Sequence, residues 1–96
     1  MNDDEKKEYI AKLFKENIPE CKSVKIAIED GKLRFCLLLQ ETRSASVLIE
    51  KSFIEKTDKE EIESYFEKEN IYRLITENRV ISTRADMVIW PDDKAC

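Results

Sequence analysis

The chain of 96 residues has no histidine, one glycine and two prolines. Without histidine, Ser-His and Cys-His nucleophile pairs cannot be assembled, and neither can a zinc site that uses imidazole. The single glycine, Gly31, is taken up by a turn, which leaves none for a glycine-rich phosphate loop. Cys21, Cys36 and Cys96 stand far apart, form no CxxC, and would need carboxylate help to complete a four-ligand zinc site. No stretch has the length and apolarity of a membrane span, and the opening MNDDEKKEYI lacks the apolar core of a secretion signal. These absences set the expectations: no catalytic residues, no metal, no cofactor, no membrane partner, reduced thiols and a cytoplasmic location.

What is present suffices for one small folded domain covering residues 1–96, with the tail after about residue 91 frayed. Apolar residues make up 42% of the chain, enough for a core, although charged residues make up 40%. The net charge of −4 and pI near 5.0 disfavour anionic partners such as nucleic acid or a membrane surface. The charge is uneven. Residues 50–70 hold eight acids against four bases, whereas residues 21–49 hold five bases against three acids.

Local patterns predict an α+β fold of order α-β-β-β-α, followed by one to three short strands, with an antiparallel meander sheet and both helices on one face. In the first helix, Asn2 and Glu5 stand at near capping-box spacing. Tyr9, Ile10, Leu13 and Phe14 form its apolar face, and Asn17-Ile18-Pro19 stops it. Asp30-Gly31 signals a type I′ hairpin turn, which pairs Glu29 with Lys32, Ile28 with Leu33, Ile26 with Phe35 and Val24 with Leu37. A three-residue turn, Glu41-Thr42-Arg43, leads to a strand over 44–50 and brings Ala45, Val47 and Ile49 into the core. Thr57 and Glu60 suggest a capping box for the second helix, with Ile62, Tyr65 and Phe66 buried, Asn70 ending it, and Phe53 and Ile54 anchoring the loop before it. Beyond it, Tyr72–Ile75 reads as strand or extra helical turn, 79–83 as a strand after a turn at Glu77-Asn78, and Met87–Trp90 as a short apolar segment.

This register leaves Ala27, Cys36, Leu38 and Leu48 on the sheet face away from the core, more apolar than a solvated face requires. Either the C-terminal segment, with Met87 and Trp90, folds over that face, or a partner covers it. The expected function is therefore a non-enzymatic regulatory or adaptor domain that binds another protein or itself as a homodimer. The expected surface is Ala27, Cys36, Leu38, Leu48, Met87 and Trp90. Lys25, opposite Cys36, gives that thiol one basic neighbour, and an inert thiol is the expectation.

Two alternatives rest on the order of elements. The α-β-β-β-α order is similar to that of the double-stranded RNA-binding domain, which would imply nucleic-acid binding. Here the second helix begins Asp58-Lys59-Glu60-Glu61 where that family is lysine-rich. Such binding would instead use Lys25, Lys32, Arg34, Arg43, Arg73, Arg79 and Arg84. The order with a further strand also resembles that of PD-(D/E)xK metal-dependent nucleases. Asp30 and Glu41 would then be the acids for Mg²⁺, and Arg43 would stand in the lysine position.

Overall fold

The computed structural model describes residues 3–40, 43–77 and 79–91. Among them, five strands form one antiparallel sheet and four helices cover a single face of it. The elements are α1 (Asp3–Asn17), β1 (Ser23–Glu29), β2 (Lys32–Leu38), β3 (Ser44–Glu50), α2 (Lys51–Lys56), α3 (Lys59–Lys68), α4 (Ile71–Glu77), β4 (Ser82–Arg84) and β5 (Met87–Pro91). The order across the sheet is β1-β2-β3-β5-β4. The first three strands form the expected meander. The helical excursion then delivers a second hairpin whose later strand, β5, takes the place beside β3 and leaves β4 at the edge.

Asp30 and Gly31 both have positive φ, +34° and +75°, as the tight turn requires. All four predicted pairs between β1 and β2 occur, from Glu29–Lys32 to Val24–Leu37. Between β2 and β3 the ladder begins at Leu38–Ser44, so five residues, 39–43, connect the strands rather than three. The expected turn residues Glu41 and Thr42 lie outside the described residues. The shift is two residues, so the facing survives: Ala45, Val47 and Ile49 are buried, and the longer connection also buries Leu39.

Phe14 holds the core centre. It stacks on Phe66 at 5.3 Å between ring centroids and meets Phe35 edge-on at 5.8 Å. Ile10, Ile62, Ile71 and Ile75 close the helical layer over Phe35, Val47 and Ile89. One cation belongs to this layer. Lys6 is buried, and its ammonium donates to the carbonyls of Ile54 (2.8 Å) and Glu55 (3.2 Å), satisfying the carboxyl end of α2.

The second half corrects several expectations. Phe53 and Ile54 lie in a helix rather than a loop, and Thr57 is buried at its end. The cap of α3 is Asp58, whose carboxylate accepts from the Glu61 N–H at 2.9 Å. Asn70, in the left-handed region at φ +54°, breaks the helix as expected. Residues 71–77 then form a further helix. The predicted strand over 79–83 shrinks to Ser82–Arg84, and Val80 and Ile81 stand exposed before it. The predicted Asn2 cap, the Asn78 turn position and the tail beyond Pro91 lie outside the described residues.

Candidate functional site

Strand alternation assigns every side chain of the sheet to the helix-covered face or the open one. On the open face, the pairings align Lys25, Cys36, Ser46 and Trp90 in one row, and Ala27, Arg34, Leu48, Val88 and Thr83 in the next. Leu38 stands one row further out, opposite Ser23 and Ser44. Trp90 is 42% exposed and Leu38 46% exposed, while Leu48 and Val88 are half-buried between the rows. Five of the six residues expected to form an interaction surface therefore share this face: Ala27, Cys36, Leu38, Leu48 and Trp90.

Met87 does not. It points into the core and is buried, with Ile89 beside it. Residues three apart on one strand lie on opposite faces, so Met87 and Trp90 cannot both look outward. That spacing alone carried the signal. The same geometry decides the fate of the C-terminal segment through Pro91. It does not fold over the open face; it widens that face by one strand and adds Val88, which the sequence reading missed.

Cys36 is also corrected. It is disulfide-bonded rather than a reduced thiol, whereas Cys21 is free. Burial pushes the Cys21 thiol up, against the smaller opposing effects of Lys15 and of a hydrogen bond with the Ser23 backbone.

A polar chain crosses the open face from β1 to β3. Arg34 Nε donates to Glu29 Oε1 at 2.9 Å, and its Nη1 donates to Ser46 Oγ at 2.9 Å. Ser46 is fully buried, which an unsatisfied hydroxyl could not be without cost. The guanidinium thus links β1, β2 and β3 across the middle of the face.

The other expected residues do not assemble. Lys25, Lys32 and Arg34 lie on the open face, but Lys32 pairs with Glu50 (3.7 Å) and Arg34 with Glu29. Arg43 reaches Glu20 and the Thr76 carbonyl, Arg73 pairs with Glu77 along α4, and Arg84 with Glu69. Arg79 is exposed ahead of β4. The basic residues thus sit on separate surfaces, most of them beside an acid. For the nuclease arrangement, Asp30 and Arg43 lie beyond opposite ends of β2, and Glu41 is outside the described residues. Among the described residues, no group of three or more acids or cysteines gathers to hold a metal, and no helix is long and apolar enough to cross a membrane.

Compared with known protein families, curated proteins and solved structures, the chain matches none. The open sheet face is therefore read on its own chemistry.

Proposed function

We propose that this domain is a non-enzymatic regulatory or adaptor module that binds another protein through the open face of its sheet. The observation that carries the reading is Trp90, 42% exposed on a regular strand beside Leu48 and Val88, with exposed Leu38 on the same face. Tryptophan next to aliphatic side chains and an anchored arginine is the composition of interface centres, where a few large residues carry most of the binding energy. The ladder already fixes the backbone that carries Trp90, so docking a partner there orders side chains but need not order the chain.

The test is capture by the immobilised domain, run in parallel with Trp90→Arg and Leu38→Asp. Both residues are exposed, so both variants should melt with the wild type. A partner retained by the wild type and lost by both variants is the expected result. A partner held equally by all three would place binding elsewhere and end the proposal.

A further inference from the structure

We propose that β1 is a pairing edge for a second copy of this chain, joining two sheets into one about a two-fold axis at Ile26. The inference concerns a different surface from the open face, since Trp90 lies three strand spacings away, about 14 Å.

The backbone supports it first. A two-residue turn makes Glu29–Lys32 a hydrogen-bonded pair, and such pairs alternate along an antiparallel ladder. The Leu39 N–H bond to the Arg43 carbonyl, 2.8 Å, fixes the same parity on the other side of β2. Ser23, Lys25, Ala27 and Glu29 therefore turn their amides toward β2. Val24, Ile26 and Ile28 turn theirs out to the edge.

The side chains agree. Antiparallel self-pairing centred on Ile26 overlaps all seven residues of β1. It sets Val24 against the partner's Ile28, and Ile26 against the partner's Ile26. Each of these three hydrogen-bonded pairs exchanges two bonds. Ile28 lies on the core side of the sheet yet is 67% exposed, an apolar side chain at a corner the helices leave open. The partner's Val24 covers it. Charge is self-complementary too. Lys22 and Lys25 open the segment and Glu29 and Asp30 close it, so each basic end meets the partner's acidic end. A register centred on Lys25 would oppose two lysines. One centred on Ala27 would align fewer strand residues and draw the strained turn residue Asp30 into the ladder.

The opposite edge shows what protection looks like. β4 is three residues long, with Ser82 and Arg84 half-buried, too short to template another strand. β1 has seven residues and neither proline nor a break in its register with β2.

Sedimentation over a concentration series, with amide exchange read residue by residue, tests the proposal. The wild type is expected to form a dimer. The amides of Val24, Ile26 and Ile28 should gain protection as concentration rises. Ile28→Lys, at a site exposed in the monomer, should weaken association by about tenfold or more without lowering the melting temperature. Trp90→Arg should leave association unchanged, which separates this surface from the proposed partner face. A monomer at every concentration up to about 1 mM overturns the proposal. So does a dimer in which those three amides exchange independently of concentration.

Discussion

The two faces of the sheet are cut from the same strands, one residue out of phase, yet they obey different rules. On the helix-covered face, Phe35, Leu37, Val47, Ile49 and Ile89 have essentially no exposure and interlock with side chains from four helices. On the open face, cross-strand neighbours alternate between apolar, charged and hydroxyl groups, and the one fully buried position, Ser46, is held by an arginine. Each part of the covered face is fixed by volume. The open face is fixed by hydrogen bonds across neighbouring strands, and this leaves its apolar residues free for other contacts. A face can thus be well ordered without being closed.

The sharpest way to break that contrast is to truncate one residue of β2 on each face. Phe35→Ala should cost about 3–5 kcal/mol, because the cavity opens beneath Phe14 in a packed core. Leu38→Ala, at a site 46% exposed, should cost less than about 1 kcal/mol. Urea denaturation measures both. Similar costs would mean that something already covers the open face. Ser46→Ala comes next, at about 1 kcal/mol, because Arg34 loses a buried acceptor. No loss there would assign the order of the open face to its disulfide and packing instead.

The smallest effect belongs to the helical layer. Tyr9 donates to Glu63 at 2.6 Å, and Lys59 sits 4.6 Å from its ring centroid, so one side chain ties α1 to α3. Burial, and then Glu63, raise its hydroxyl to about 12. The unfolded chain releases that proton near 10, so the folded state binds more protons between those values. The stability from neutral Tyr9 is therefore complete below pH 10 and is lost as pH rises toward 12. Tyr72 is raised as well, mainly by burial, and adds to the same fall. Tyr9→Phe should lower the neutral-pH melting temperature slightly, because the Glu63 hydrogen bond is lost, and should flatten the further decline over this window. An identical alkaline decline in that variant would remove Tyr9 from the account.

The sequence was most legible where two independent signals met. At the first hairpin, the Asp30-Gly31 turn and the alternation of Val24, Ile26 and Ile28 demand one register, and every pair follows from it. For the open face, the same alternation assigns Ala27, Cys36, Leu38 and Leu48 from the sequence. Beyond residue 70, such agreement is missing. Tyr72–Ile75 is a short apolar run that suits a helix or a strand, and only the surrounding core selects the helix. Val80 and Ile81 have strong strand preference but lie ahead of β4, and they stand exposed. Met87-Val88-Ile89-Trp90 is apolar throughout, so its facing is set by pairing with β3, a contact some forty residues distant in the chain.

Lys6 gives the architecture a timetable. Its acceptors, the carbonyls of Ile54 and Glu55, come 48 and 49 residues later in the chain. As the chain emerges during synthesis, the first helix can coil early, but this contact cannot form until residues 54 and 55 have been made. The hairpin, whose contacts are local, has no such wait. The first helix thus waits for residues of α2 before it is fastened, while β4 and β5, which complete the sheet, come later still.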